Sequence, residues 1–188
     1  MTTIKPLMIC LLFASLAGSA RGAQAAPAKE ALLQGELVGQ VDFVEKRILD
    51  LADAVPQDKY TWRPAPGVRS IAEVYLHIAF ANYGLGSKVT GKTPPTSAGF
   101  SGDPKKWDTQ TTDKAAIKKV LTASFDWVKE AIKSVPDKDL DKTFDFFGHK
   151  MSTRSGLITI VNHQHEHFGQ SIAYARSNNV VPPWSKGE

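Results

Sequence analysis

The positions of the prolines constrain the fold of this chain most strongly, because proline ends or kinks a helix wherever it falls inside one. The 188 residues include eleven prolines, at positions 6, 27, 56, 64, 66, 94, 95, 104, 136, 182 and 183. They leave four long proline-free stretches, at 28–55, 67–93, 105–135 and 137–181. Each stretch is long enough for one helix of about 20 residues.

The first two stretches have the sequence features of amphipathic helices. In the first, apolar residues recur every three or four positions over 33–55, which predicts a helix that ends just before Pro56. In the second, Ser70 is followed three residues later by Glu73, the pattern of a capping box at a helix start. Apolar residues between positions 71 and 85 then mark the buried side of the second helix.

The third helix is predicted from a regular apolar stripe over 117–135. Thr111 or Thr112 is its expected N-cap, and Asp113 is expected in its first turn. A long segment rich in Gly, Pro, Lys and Thr, at roughly 86–110, separates it from the second helix. A connection of this length is usually either a functional cover or a crossover between parallel helices, so a bundle with a crossover is favoured over a plain up-and-down bundle.

The fourth helix is expected to begin near Ser152 or Thr153 and to end at about Asn178. No stretch shows a sustained alternation of polar and apolar residues, and 143–147 is the one weak strand candidate. The predicted fold class is therefore all-α, a four-helix bundle with a long crossover connection between helices 2 and 3.

The buried stripe of the fourth helix contains histidines in place of aliphatic residues. Its successive positions are Leu157, Ile160, His163, His167, Ser171 and Tyr174. His163 and His167 are four residues apart and thus neighbours on one helix face, at about 6 Å between Cβ atoms. Burying imidazoles without partners costs free energy, whereas neutral imidazoles bound to a metal ion are satisfied.

A third histidine, His77, lies beside the apolar stripe of the second helix. His77, His163 and His167 are therefore the candidate metal ligands. Three protein ligands leave a coordination position open for water or substrate, which is typical of catalytic zinc sites. A histidine beside a core stripe can also be simply packed and hydrogen-bonded, so spacing alone leaves both interpretations open for His77.

Other polar residues near these positions have weaker indications. His165 is expected to point away from the candidate ligands and to be exposed, and His149 to lie on a surface loop. Gln164 occupies the place where an HExxH metalloprotease has its glutamate, which argues against that chemistry. No residue stands out as a general base.

Three residues are candidates for a catalytic role, namely Glu73, Tyr75 and Tyr174. Glu73 also has a structural role available as the acid of the capping box. Its position one turn before His77 would also permit a hydrogen bond to that imidazole.

The N-terminal residues 1–25 are predicted to be a secretory signal peptide, with Lys5 in the basic region, an apolar stretch at 7–17 and an Ala-Gln-Ala cleavage site at 23–25. Residues 26–188 then form a single domain in the periplasm or outside the cell. Cleavage would remove the one cysteine, Cys10, and lower the formal net charge from +4 to +2. A mildly basic chain without a Lys/Arg cluster is a poor candidate for nucleic-acid binding, and no apolar run is long enough for a transmembrane helix after cleavage.

Three motifs resemble those of DinB-like metal-binding four-helix bundle proteins. They are the segment 62–73 followed by His77, the segment 162–170, and Tyr174 and Arg176 with the closing segment 180–185. Three motifs in the same order make the resemblance specific, and it covers roughly residues 30–185.

The resemblance implies a bundle with a crossover, with a divalent metal ion held by one histidine of the second helix and two of the fourth. By motif position these are His77, His163 and His167, the same three residues that the spacing selects. The better-understood relatives of this type look like thiol transferases, and family members often form homodimers, so a homodimer is a further expectation. The predicted export signal sets this chain apart, because low-molecular-weight thiols are scarce outside the reducing cytoplasm.

The expected cofactor is a divalent transition metal ion, and zinc, nickel, iron and manganese are the candidates. The leading hypothesis is a metal-dependent enzyme of the hydrolase or thiol-transferase type that acts on an unknown small molecule. A non-catalytic exported protein that binds a metal or a small molecule is the alternative. A bundle whose histidines are only structural is a third interpretation.

Overall fold

The computed structural model describes residues 32–185 and Gly187. The helices are α1 (Leu32–Ala54), α2 (Ile71–Thr90), α3 (Pro104–Asp108), α4 (Lys114–Lys133) and α5 (Thr153–Ser177), and the strands are β1 (Thr143–Phe146) and β2 (His149–Ser152). The predicted signal peptide at 1–25 lies outside the described residues. Among the described helices, none is both long and apolar enough to cross a membrane.

The four long helices form a bundle in which α1 and α2 each pack against both α4 and α5. The amine of Lys114, at the start of α4, donates a hydrogen bond of 2.9 Å to the carbonyl of Val55, just after α1, so these two helices are antiparallel. In contrast, α2 and α4 are parallel, because Asn82 bonds Ser124 and, just beyond the end of α2, the Lys92 amine donates to the carbonyl of Glu130, later in α4. The predicted all-α bundle with a crossover between its second and third long helices is confirmed.

The predicted helix ends agree with the structure at most positions. The capping box at the start of α2 is complete, with Ser70 accepting from the Glu73 backbone N–H and the Glu73 carboxylate accepting from the Ser70 N–H. Ser152 caps α5, and Asn178 ends it. The prediction for the third long helix was wrong in its cap, because the Asp113 side chain, rather than a threonine, accepts from the backbone N–H of residue 116.

The long connection begins later than the composition indicated. Helix α2 continues past position 86 to Thr90 and ends at Gly91, whose φ of 74° is the left-handed conformation of a glycine C-cap. Gly86 lies inside α2. A larger residue does not fit at this position, because a Cβ there would come within 2.5 Å of the Trp127 ring on α4. This glycine therefore allows α2 and α4 to pack closely, and it does not mark the start of a loop.

The connection is itself folded against α2. The short helix α3 begins with Asp103 as its N-cap, and the buried indole of Trp107 donates a hydrogen bond of 2.9 Å to the Leu76 carbonyl. This bond attaches the crossover to the helix that carries His77.

A β-hairpin that the sequence predicts only in part precedes α5. The strand expected at 143–147 is confirmed as β1, whereas the pairing strand β2 is an addition to the all-α prediction. His149 is exposed, as expected, but it lies in β2 rather than in a loop. Phe147 is in the turn with a φ of 50° and is 76% exposed.

A buried polar network crosses the core between three helices. The Asn82 amide on α2 donates to the Ser124 hydroxyl on α4 at 3.0 Å and accepts from the Gln164 amide on α5 at 2.9 Å. All three side chains are buried. Gln164, at the position of the HExxH glutamate, therefore faces the core.

Substituting Gly86 by alanine tests the close approach of α2 and α4. We expect Gly86→Ala to lower the free energy of unfolding by about 1–3 kcal/mol, because its methyl group would overpack against Trp127 and Val128. The matched control Gly39→Ala lies on the exposed side of α1 with no atom within 4 Å of the new methyl group. It should raise stability by about 0.5–1 kcal/mol, since alanine is the better helix former. Urea denaturation measures both, and a stabilising Gly86→Ala would contradict the packing.

Candidate metal centre

The structure brings together the three histidines that the sequence selects. His77 lies on α2, and His163 and His167 lie on α5, which runs antiparallel to α2. One ring nitrogen from each residue lies within 4.8 Å of the other two. In the part of the chain that the structure describes, this is the one group of three or more such residues close enough to hold a metal ion.

The spacing of the two α5 histidines fits a shared cation. Their Nε2 atoms are 3.2 Å apart, and two imidazoles bound tetrahedrally at about 2.0–2.1 Å from one zinc ion would have nitrogens about 3.3 Å apart. Two nitrogen lone pairs at this distance repel each other, so either a hydrogen or a cation must lie between them. Imidazole nitrogens are ligands that suit divalent transition metals, so this set of donors fits such an ion.

A hydrogen-bonded chain fixes the orientation of the His167 ring. The Nδ1 atom of His167 is 2.7 Å from the side-chain oxygen of Gln170, and the Gln170 amide donates to the Tyr174 hydroxyl at 3.0 Å. Because the amide oxygen can only accept, His167 carries its hydrogen on Nδ1 and presents a lone pair on Nε2. This is the arrangement that a ligating histidine requires of its second nitrogen.

His77 faces a carboxylate from the crossover. Its Nδ1 atom is 3.6 Å from Asp108 on α3, and Asp108 is held by the Arg69 guanidinium at 2.8 Å. The distance exceeds that of a hydrogen bond. Among the described residues, neither His77 Nδ1 nor the second carboxylate oxygen of Asp108 has a hydrogen-bond partner, although both are buried. The carboxylate oxygen that lies 3.6 Å from His77 Nδ1 is the one that Arg69 bonds.

The electrostatic environment keeps the α5 histidines neutral. Burial lowers the pKa of His163, and the charges of His167, His77 and Arg69 lower it further, to about 3. Burial also lowers the pKa of His167 and outweighs the opposing hydrogen bond to Gln170. Neutral imidazole is the form that binds metals, so both residues are in the ligating state at neutral pH.

The candidate general bases are engaged elsewhere. The Glu73 carboxylate accepts hydrogen bonds from the Arg63 guanidinium at 2.9 and 3.1 Å and from the Ser70 N–H at 2.8 Å. Burial alone would raise the pKa of Glu73, but these bonds outweigh it, so the pKa is lowered and the carboxylate is a weak base.

The two tyrosine candidates have packing roles. Tyr75 is buried against Tyr60 at 6.0 Å between ring centroids, and this burial raises its pKa well above the usual value. Tyr174 packs edge-on against Trp62, and its hydroxyl supports Gln170. Tyr174 thus supports the site through Gln170.

His165 lies outside this centre. The expectation that it is exposed was wrong, since it is half-buried, with Nδ1 3.0 Å from the Val161 carbonyl. The helix places its side chain on a different face from His163 and His167, so it takes no part in the group of three.

Two pockets border residues of this site. One, of about 690 Å³, has His77 and His163 in its wall together with Phe80 and Phe100. The other, of about 660 Å³, is lined by charged residues and by Gln170. Arg69 borders both pockets.

Sequence reasoning did not identify Asp108, Arg69 or Gln170 as parts of the site. Asp108 and Arg69 come from connections, where no periodic pattern indicates which side chains turn inward. Gln170 could have been found, because it follows His167 by three residues on one helix face and is able to accept a hydrogen bond from it.

Comparisons with known proteins agree with this fold. Residues 40–171 match the family model of the DinB superfamily. A DinB-like protein from Bacillus cereus ATCC 10987 has a similar structure, with a TM-score of 0.67 and 22% sequence identity, covering 79% of this chain and 95% of that one. A DinB-like protein from Bacillus subtilis gives a TM-score of 0.60 at 18% identity, over 78% and 93% of the two chains. No curated protein matches the sequence significantly.

The hydrogen-bonded chain predicts the tautomer of His167. In chelator-treated protein near pH 7, we expect a neutral His167 with hydrogen on Nδ1, detectable by long-range ¹H–¹⁵N correlation NMR. Gln170→Ala should remove this preference, while His165 serves as an internal reference because its Nδ1–H donates to Val161 in both proteins. A hydrogen on Nε2 of His167 in the unsubstituted protein would contradict the arrangement.

Proposed function

The chain belongs to the DinB superfamily, and from the histidine site in its bundle we propose that it binds a divalent transition metal through His77, His163 and His167. We propose further that it is a metal-dependent enzyme of the hydrolase or thiol-transferase type. The observation that carries this proposal is the convergence of three imidazole nitrogens within 4.8 Å of one another, with His77 and His163 in the wall of a pocket of about 690 Å³. A purely structural histidine cluster would need neither the pocket nor an oriented ring.

A divalent cation held by three imidazoles supplies Lewis acidity and lowers the pKa of water or of a thiol. The chain itself contributes orientation and shielding. Gln170 fixes the ring of His167, and Asp108 is placed to accept a hydrogen bond from His77. Phe80 and Phe100, whose ring centroids are 5.2 Å apart, form an apolar wall that limits access of bulk water.

Export through the predicted signal at 1–25 would favour water over a cytosolic thiol as the second reactant. We therefore rank hydrolysis above thiol transfer for this chain. Comparing the protein found in the culture medium or periplasm with that in the cytoplasm, for the full sequence and for one lacking residues 1–25, tests the export proposal.

A non-catalytic binding protein is the second candidate. It is favoured by the state of Glu73, whose carboxylate is fully engaged with Arg63 and Ser70 and so is not free to accept a proton. Solvent-proton relaxation of Mn²⁺-loaded protein separates the two candidates. Strong enhancement would show that water reaches the ion, as an enzyme requires, whereas no enhancement would favour the binding protein.

Metal content is the direct test of the proposed ligands. The mature protein should contain about one equivalent of a transition metal, and the double variant His163→Ala/His167→Ala should contain none, by elemental analysis. His165→Ala is the matched control, because it removes an imidazole from the same helix outside the group of three. Chelation should lower the Tm of the unsubstituted protein, since bound metal stabilises the folded state. Equal metal content in all three proteins would contradict the proposal.

Asp108 is expected to strengthen metal binding without being a ligand. Asp108→Ala should weaken metal affinity about 10–100-fold, because His77 would lose the carboxylate that can accept its Nδ1–H. Competition with a chromophoric chelator measures this affinity. Asp141→Ala, which removes an exposed carboxylate far along the chain from α3, should leave affinity unchanged. Unaltered affinity in Asp108→Ala would show that the carboxylate only pairs with Arg69.

A further inference from the structure

We propose that the pocket beside the histidines binds a small organic monoanion with an aromatic or branched aliphatic body, such as an arylalkyl carboxylate. This inference deepens the proposed function, because it names the substrate class of the same site. The role of the bound anion as a substrate rests on that proposed function. It is carried by the distribution of apolar and charged side chains around the pocket.

The body of the pocket is apolar. Phe80, Leu85, Phe100 and Phe147 line it, and its volume of about 690 Å³ lies in the range of small-molecule sites, roughly 300–1,000 Å³. The ring of Phe80 also stacks with that of His77, at 6.4 Å between centroids. An apolar ligand body would therefore lie directly against the metal-binding residues.

Phe147 has an unusual place in this wall. It lies at the tip of the β-hairpin, is 76% exposed, and has a φ of 50°, a conformation that bulky residues rarely adopt. Exposing an aromatic ring to water is unfavourable, and a ligand in the pocket would cover part of it.

The formal charges at the pocket are all positive. Arg69 and Lys88 border it, and among the described residues no carboxylate does. Within the described part of the chain, Arg69 uses only its Nε atom, in the bond to Asp108, which leaves both terminal nitrogens able to bind an anion. Lys88 is exposed and makes no ion pair with any described residue.

The adjoining pocket provides a useful contrast. It also contains cations, namely Arg63, Arg69 and Lys105, but the carboxylates of Glu73 and Asp108 lie in the same wall, where they pair with Arg63 and Arg69. The described lining of this adjoining pocket thus holds two carboxylates and no aromatic side chain, whereas that of the first pocket holds three phenylalanines and no carboxylate. At the pocket of His77 and His163, an apolar wall is bordered by cations without a carboxylate among the described lining residues. Such a pocket favours an amphipathic anion over a neutral or cationic ligand.

The test compares three probes of nearly equal shape by NMR titration of the protein as purified. They are 4-phenylbutyrate, the neutral 4-phenylbutan-1-ol and the cationic 4-phenylbutylamine. We expect the carboxylate to bind at least about tenfold more tightly than the alcohol, and the amine more weakly than either. Equal affinity for the carboxylate and the alcohol would overturn the proposal.

Two exposed residues allow the pocket to be changed without disturbing the core. Lys88→Glu should weaken carboxylate binding several-fold and leave alcohol binding unchanged, whereas Lys119→Glu, the same charge change on an exposed face of α4, should alter neither. Phe147→Ala should weaken both ligands, and Val181→Ala, another exposed apolar residue, should weaken neither. No effect of either pocket variant would place the ligand elsewhere and overturn the proposal.

Elemental analysis of the same samples separates this inference from the metal proposal. A protein that contains metal but shows no preference for the carboxylate overturns the substrate class and leaves the metal site intact. A protein without metal that still prefers the carboxylate, through Lys88 and Phe147, supports the pocket and contradicts the proposed function. The effect of Lys88→Glu also excludes an interpretation in which the carboxylate binds only to the cation.

Discussion

The hydrogen bond between Asn82 and Gln164 is the constraint on which the site geometry depends. It joins α2 and α5 inside the core, and Asn82 extends the same network to Ser124 on α4. A one-residue shift of α5 along α2 would leave buried amides unpaired, at a cost of about 1–3 kcal/mol for each group. Apolar side chains tolerate such shifts more readily. Because Gln164 is adjacent to His163, the register that allows the Gln164 amide to bond Asn82 is also the one that brings His77 opposite the α5 histidines.

The helices and the three histidines could be predicted because their signals are local. The capping box at Ser70, the end of α1 before Pro56 and the spacing of His163 and His167 each depend on residues within a few positions of one another. The same spacing rule indicated that core positions of α5 were occupied by imidazole. The structure places the three histidines as expected, and their role as metal ligands stays a prediction.

The predictions were incomplete where tertiary contacts decide the outcome. Composition placed the start of the connection near 86, but the close approach of Trp127 requires a glycine inside α2. The strand β2 and the inward position of Asp108 likewise depend on partners distant in sequence. Glu73 was a reasonable candidate base by position, yet burial, which raises its pKa, is outweighed by hydrogen bonds from Arg63, outside the helix, and from the Ser70 N–H.

The crossover connection and the bundle contribute different parts of this site. The bundle helices supply the three imidazoles, whereas the connection supplies Asp108 and part of the pocket wall, including Phe100. A single buried indole bond and the surrounding aromatic contacts hold this segment against α2. Ligand preference can therefore diverge in evolution by replacement of one segment while the helices that carry the imidazoles are retained. The same division makes segment exchange between homologues a practical route to new specificities on an unchanged scaffold.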